Sequence, residues 1–152
     1  MAPQATAHAS AVLIGARAVL IRGPSGAGKS RLALELIEAA RGNGLGLAML
    51  VGDDRVYLDA AGGRLLVRSA EALAGLLEVR GLGLLRLHHE PQAVVGLVVD
   101  LHAADAERLP QPGRQNTDIS GIVLPRLAVA VNAEALPVVL AYLLSGRLKA
   151  QV

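Results

Sequence analysis

Short apolar runs, each closed by glycine or by a polar turn, recur along this chain, and their lengths separate strands from helices. Ala11-Val12-Leu13-Ile14 and Ala18-Val19-Leu20-Ile21 are parted by Gly15-Ala16-Arg17, which predicts a β-hairpin. Leu45 to Val51 is a continuous apolar run that stops at Gly52-Asp53-Asp54, and it fits a buried strand. Arg55-Val56-Tyr57-Leu58 and Arg64-Leu65-Leu66-Val67 flank a polar, glycine-rich turn and predict a second hairpin. Val94 to Leu101 and Leu127 to Val131 predict two further strands. Ser30 to Arg41 reads differently: Leu32, Leu36 and Ala39-Ala40 recur on one side, and Gly42-Asn43-Gly44 ends the pattern, so this is a helix. Asn132 is placed to cap a last helix from about Ala133 to Ser145, with Pro137 near its first turn. Glu71 to Leu77 reads as a short helix or an irregular segment. Ala103 to Gly121 is polar and holds Pro110, Pro112, Gly113 and Gly121, which predicts a long surface loop of the kind that often carries function. No internal repeat is visible.

Composition narrows the class. The chain has 152 residues, one domain by length and enough to bury a core. Apolar residues make up 53%, nearly all Leu, Ala and Val; Phe and Trp are absent, and Tyr57 and Tyr142 are the only aromatics. The core is therefore aliphatic, and platforms for stacking bases are scarce, which argues against single-stranded nucleic-acid binding. The formal net charge is +2, and the arginines are interleaved with Asp and Glu, so no basic stripe marks a nucleic-acid face. Cysteine is absent, which removes disulfides and thiolate chemistry. The stretch Met1-Ala2-Pro3-Gln4-Ala5-Thr6 lacks the basic flank and apolar core of a signal peptide, and no long uncharged apolar run exists. The expectation is a single cytoplasmic domain over residues 1–152, with no membrane and no nucleic-acid partner.

One stretch carries specific chemistry. Gly23-Pro24-Ser25-Gly26-Ala27-Gly28-Lys29-Ser30 follows the second strand run and opens the first helix, which is the strand–loop–helix setting a P-loop requires. Glycines let successive backbone N–H groups turn inward on phosphate oxygens. The helix N-terminus adds partial positive charge. Lys29 brings a full charge to the β- and γ-phosphates, and Ser30 offers a hydroxyl to Mg²⁺. Lysine is otherwise found only at Lys149, in a chain that fills its basic positions with arginine.

Other candidates are read beside this loop. Asp53-Asp54 ends a buried strand, where a P-loop protein commonly delivers a carboxylate to the Mg²⁺ region; on an extended backbone the two point to opposite sides. Asp54 is expected to face the γ-phosphate and Asp53 to point away. Glu78 and Arg80 share a face if extended, and serve either as metal ligand and anion clamp or as a surface ion pair. His88, His89 and His102 show no metal-ligand spacing. Arg114, in the long loop, is either a solvated residue or a mobile charge of the kind phosphoryl transfer recruits.

Three separated segments resemble the catalytic domain of the HPr kinase/phosphorylase family. They are the P-loop, Val51-Gly52-Asp53-Asp54-Arg55-Val56, and Glu78-Val79-Arg80-Gly81-Leu82-Gly83, the last close to that family's own signature. His8 stands at the family's spacing before the P-loop, and Pro112-Gly113-Arg114 resembles its flexible catalytic loop. The likeness covers roughly Ala7 to Val131. It implies an α/β fold related to phosphoenolpyruvate carboxykinases, a mixed sheet with flanking helices, and hexameric assembly. It implies ATP-dependent transfer to a serine of HPr, the small phosphocarrier of the bacterial phosphotransferase system, and in many members reversal by inorganic phosphate. Residues Gly23, Pro24, Ser25, Gly26, Ala27, Gly28, Lys29 and Ser30 would then hold ATP. Ser30 and Glu78 would bind Mg²⁺, and Asp54 would be base and acid, with His8, Lys29 and Arg114 completing the catalytic set. With the P-loop beginning at Gly23, the resemblance leads to the expectation that the family's usual N-terminal domain is absent, as in the truncated form associated with alphaproteobacteria. Pro24 stands where many members carry Asp, Gln115 stands where Asn is common, and the C-terminal segment linked with phosphorolysis has no match.

Two rivals differ in class. A small-molecule or nucleotide kinase needs an arginine-rich lid, which is not evident. A nucleotide-binding regulatory module without catalysis calls for a degenerate site, whereas Lys29, Ser30, Asp54 and Glu78 are all present.

Overall fold

The computed structural model describes residues 6–150, with side chains described through Ser145. The signal-peptide reading of the first residues therefore falls almost wholly outside the described residues. Ten strands and two helices follow in order: β1 Ala7–Ile14, β2 Arg17–Arg22, α1 Lys29–Gly42, β3 Ala48–Gly52, β4 Arg55–Ala61, β5 Arg64–Ser69, β6 Leu76–Val79, β7 Gly83–Arg86, β8 Gln92–Leu101, β9 Asn116–Ile119, β10 Ile122–Val129 and α2 Ala135–Ala150. Single 3-10 turns lie at Glu71–Leu73 and Pro112–Arg114.

The aliphatic runs become strands β1, β2 and β8 because both of their faces are covered. β1 and β2 form the expected antiparallel hairpin, β8 lies parallel to β2, and β10 lies parallel to β8. Alternate residues then divide between two cores, as the two-residue period of a strand dictates. Val12, Ile14, Val19, Ile21, Leu97 and Val99 pack with Leu32, Leu36, Ile37 and Ala40 of α1. Ala9, Ala11, Ala18, Leu20 and Val98 face the other way, onto Val56, Leu65 and Val67. That second core sits inside a ring, since β1 pairs with β4, β4 with β5, β5 with β8, β8 with β2 and β2 with β1. β8 carries a one-residue bulge as it joins β2: Ala18 is opposite Val95, but Val19 is opposite Leu97. The extra residue is Gly96, where an added Cβ would lie 2.7 Å from Arg17 Cβ.

This topology puts the loops of interest at one end. β3 is antiparallel to β1, as is β2, so β2, β3, β8 and β10 all run the same way. Their carboxyl ends deliver Gly23, Asp53, His102 and Ala130 to one rim, the edge where open α/β sheets bind ligands.

Four expectations are corrected. The segment from Ala103 to Gly121 is not wholly loop, because β9 forms within it and pairs antiparallel with Ile122 to Pro125. β10 accordingly begins at Ile122 and not at Leu127. α2 starts at Ala135, past Asn132; the chain first makes a turn in which Ala133 N–H donates to Ala130 O. Glu71 to Leu77, read as a short helix or an irregular segment, holds a 3-10 turn at Glu71–Leu73 and then enters β6, which pairs with β7 in a second, two-stranded sheet. No helix among the described residues is long and apolar enough to cross a membrane.

Candidate active site

β2 ends at Arg22 and the chain turns through Gly23–Gly28 into α1. Gly28 has φ 97°, a left-handed conformation that suits glycine, and its carbonyl accepts the first helical bond from Leu32 N–H at 2.9 Å. Gly26 also takes a positive φ, 82°, and Ala27 N–H closes the turn on Pro24 O at 3.0 Å. The first turn of α1 itself holds no acidic residue. Lys29 is 7% exposed and arches back over the loop, donating from Nζ to Gly23 O at 2.9 Å and Pro24 O at 3.1 Å. Arg80 reaches the same loop from the β6–β7 turn: a Cβ added at Gly26 would stand 3.5 Å from its Nη2. The loop is thus flanked by two cations and a helix N-terminus, which together suit a polyanion.

Asp53 organises the adjoining polar cluster. It is 6% exposed. Its Oδ1 accepts from Ser10 Oγ at 2.7 Å, Ser30 Oγ lies 2.7 and 2.9 Å from its two oxygens, and Glu78 N–H donates to Oδ2 at 3.1 Å. One carboxylate therefore ties together β1, the P-loop helix and β6. The expectation that Asp53 points away from the loop is corrected here: it points inward at Ser30. Ser10 is a fully buried serine in an aliphatic strand, and it also accepts from Asp54 N–H at 3.3 Å. That isolated hydroxyl inside an apolar run was the signal that could have revealed the cluster.

Asp54 takes φ 67°, which turns the chain sharply between β3 and β4 and sends its side chain outward. Its carboxylate is 60% exposed and lies 3.8 Å from His8 Nδ1. β1 starts at Ala7 and His8 pairs with Arg55, the residue after Asp54, so the histidine and the carboxylate are neighbours by register. His8 and Asp54, both named by the family resemblance, thus stand side by side. Glu78 is exposed on β6, and its own amide is fixed on Asp53.

The donor set fits Mg²⁺. A hydroxyl (Ser30), a buried carboxylate (Asp53) and an exposed carboxylate (Glu78) are hard oxygen ligands on neighbouring segments. Among the described residues no group of three or more His, Cys, Asp or Glu forms a cage.

Arg114 stands apart from this cluster. It ends the Pro112–Arg114 turn, and its carbonyl accepts from Arg126 Nη1 at 3.3 Å. It lines a groove of about 670 Å³ with Pro125, Leu127, Val138 and Tyr142 of β10 and α2. Sequence reasoning missed the network behind it. Arg126 donates to Asp100 at 2.5 Å and, as a fork, to Asp105 at 2.8 and 2.9 Å. Arg22, the residue before the P-loop, grips the same Asp100 at 2.7 and 2.8 Å. Burial alone would raise the Asp100 carboxyl, but hydrogen bonds from Arg22 and Arg126 outweigh it and hold it below the usual carboxylate range. The Arg126 hydrogen bonds likewise hold Asp105 down, and the two carboxylates push the Arg126 guanidinium up.

A mixed α/β sheet with a glycine-rich loop at its carboxyl rim, a buried lysine over that loop and a carboxylate on the following serine define a P-loop nucleotide-binding domain. Comparison with known proteins narrows this class. The family model described as the HPr Serine kinase C-terminal domain matches residues 1–141, and the chain belongs to that family. It is 37% identical over 138 residues to an HPr kinase/phosphorylase of Neisseria meningitidis, covering 76% of this chain and 41% of the relative. It is 34% identical over 143 residues to an HPr kinase/phosphorylase of Limosilactobacillus reuteri, covering 86% of this chain and 42% of the relative. The chain thus spans about two fifths of the length of these curated relatives. The solved structure of the Hpr(Ser) kinase/phosphatase from Coxiella burnetii superposes with a TM-score of 0.73 at 26% identity, covering 97% of this chain and 99% of that one.

Proposed function

We propose that this chain transfers the γ-phosphoryl group of ATP to a serine of HPr, the phosphocarrier protein. The observation that carries the reading is the convergence on one rim of a phosphate loop, a metal-suited oxygen set and an outward carboxylate. The names of its relatives support the choice of HPr as acceptor.

Each residue has a separate task in this reading. The amides of Gly23 to Ser30, with Lys29, hold the phosphates, and Arg80 adds charge over Gly26. Ser30, Asp53 and Glu78 would hold Mg²⁺, which when bound neutralises charge on the transferring group. Asp54 stands outside the buried cluster, free to meet an incoming hydroxyl, and takes its proton as the oxygen attacks phosphorus. His8, beside it, orients the carboxylate. Arg114 rides on a segment fastened to β10 through Arg126 and serves the acceptor side. In reversal, the same Asp54 carboxyl returns the proton to the serine oxygen. Hexameric assembly and a cytoplasmic setting complete the proposal.

The test is incubation of the chain with γ-labelled ATP, Mg²⁺ and purified HPr, beside a panel of nucleoside monophosphates, with mass spectrometry of the products. Phosphoserine on HPr supports the reading. Label on a monophosphate instead would make the protein a nucleotide kinase, and ATP binding without transfer would make it a regulatory module.

A further inference from the structure

Ser10 is a fully buried hydroxyl in β1, where its neighbours Ala9, Ala11 and Val12 are apolar. A hydroxyl in such a place is costly unless it is hydrogen-bonded. Both of its capacities are used on the two aspartates: Oγ donates to Asp53 Oδ1 at 2.7 Å and accepts from Asp54 N–H at 3.3 Å. Resting on the function proposed above, we infer that Ser10 is a positioning residue for both. It sets the Asp53 carboxylate toward Ser30 and the metal, and it holds the turn that directs Asp54 out to the acceptor.

Register is the first ground. β3 pairs with β1 through a bulge, Val12 lying opposite Leu50 but Ala11 opposite Gly52. Extending that register, or the one that sets His8 opposite Arg55, puts Asp53 opposite Ser10 and Asp54 opposite Ala9. Without the extra residue, Val51, Asp53 would fall opposite Ala9 and its carboxylate on the other face. Ser10 shares its face with Val12 and Ile14, which pack on α1, the helix that carries Ser30. The hydroxyl therefore stands where it holds the carboxylate against that helix. Strain is the second ground. Arg55 N–H donates to Asp53 O at 2.7 Å, closing a γ-turn centred on Asp54, and the φ of 67° makes it the rare, strained form. Such backbone persists where its surroundings over-determine it. Here β1 grips Asp54 at both ends: Ala9 N–H donates to its carbonyl at 3.2 Å, and Ser10 Oγ accepts from its amide. Of these two contacts, only the one from Ser10 depends on a side chain.

The experiment compares Ser10→Ala, Ser10→Thr and Ser10→Val with the wild-type chain, with circular dichroism as the check on folding. Three quantities are measured: Mn²⁺ affinity in the presence of ATP, by electron paramagnetic resonance; ATP affinity in EDTA; and the rate of HPr phosphorylation at saturating Mg²⁺. In Ser10→Ala the Mn²⁺ affinity and the rate should each fall about tenfold, the scale for losing a hydrogen bond behind a metal ligand. ATP affinity in EDTA should stay unchanged, because Lys29 and the loop amides are untouched. Threonine and valine differ in the hydroxyl, so a packing defect strikes both alike. Ser10→Thr should restore affinity and rate, and Ser10→Val should match Ser10→Ala. Wild-type Mn²⁺ affinity and rate in Ser10→Ala overturn the inference, as do equal Thr and Val variants, or ATP binding in EDTA that falls in step with the rest. A fall in only one of the two quantities overturns the claim for the other aspartate. If the extra methyl keeps Thr and Val from folding, the split in Ser10→Ala between metal-bound and metal-free affinity decides alone. A wild-type chain that binds Mn²⁺ and ATP yet leaves HPr unlabelled counts instead against HPr as acceptor, and the Mn²⁺ comparison still decides the role of Ser10 toward Asp53. A wild-type chain that binds ATP but no Mn²⁺ overturns the metal reading and this inference with it.

Discussion

Ser30 Oγ lies 2.7 Å from Asp53 Oδ1 and 2.9 Å from Oδ2, so the hydroxyl that opens the P-loop helix is seated on the carboxylate that ends β3. The bond joins the first turn of α1 to the end of β3, and the same carboxylate also accepts from Ser10 Oγ and the Glu78 amide. It leaves adjacent aspartates in different settings, Asp53 buried and Asp54 exposed.

Asp53→Asn should therefore act through the metal. An amide keeps one acceptor oxygen but turns an N–H₂ toward Ser10, Ser30 or the Glu78 amide, leaving buried groups poorly paired at about 1–3 kcal/mol. The expected outcome is a lower melting temperature and a raised Mg²⁺ requirement for transfer. Glu78→Gln, exposed and not buried, should raise the Mg²⁺ requirement with little change in melting. Metal titrations and melts of both variants check this; an unchanged Mg²⁺ curve for Glu78→Gln returns that residue to the surface ion-pair role.

Lys29→Ala should abolish transfer and weaken ATP binding, because it removes the buried charge held over the loop. Isothermal titration with ATP, together with the kinase assay, checks it. Near-normal turnover would contradict the P-loop assignment.

Gly52→Ala should destabilise the fold by about 1–3 kcal/mol through overpacking. The added Cβ would meet Val56 Cγ1 at 2.7 Å and Ser69 Cβ at 3.2 Å, one residue before Asp53. A loss of this size lowers the melting temperature of a chain this long by roughly 2–12 °C. A melting point within a degree of wild type would show that β3 yields more freely than the packing implies.

The Arg22–Asp100–Arg126–Asp105 network makes a pH prediction. Asp100 and Asp105 have folded-state pKa values below their ordinary ones, so their stabilisation is present above about pH 4 and is lost as pH falls through the folded values. Arg126→Met should lower the melting temperature at neutral pH, by less than the loss of a fully buried pair would, because the network is part-buried and Arg22 remains on Asp100. The gap between wild-type and variant melting temperatures should shrink from pH 7 to pH 3. A gap that is constant with pH would assign the loss to packing alone.

The P-loop, both early hairpins and the strand leading to Asp53 were legible in sequence because each is set by neighbours a few residues away. The destination of Asp53 was not: extended geometry alone puts adjacent side chains on opposite sides, and only the φ of Asp54 and the buried Ser10 decide which one faces Ser30. β9 was hidden because Asn116 to Ile119 has no apolar alternation, and its pairing comes from β10. The partners of Asp100 lie 26 and 78 residues away along the chain, which no local pattern reports. Arg114 was placed by its Pro-Gly-Arg context, and the structure sets it beside Arg126 and Asp105 in a groove of its own.

The division of labour between the two aspartates is tested most directly by the rate of serine phosphorylation of HPr in Asp54→Asn, with ATP affinity measured on the same preparation. The exposed carboxylate beside His8 is the proton acceptor in this account, so ATP should bind as in wild type while transfer falls by roughly 10²–10⁴-fold. An Asp54→Asn enzyme that phosphorylates HPr at the wild-type rate, with Asp53→Asn inactive at saturating Mg²⁺, would contradict it.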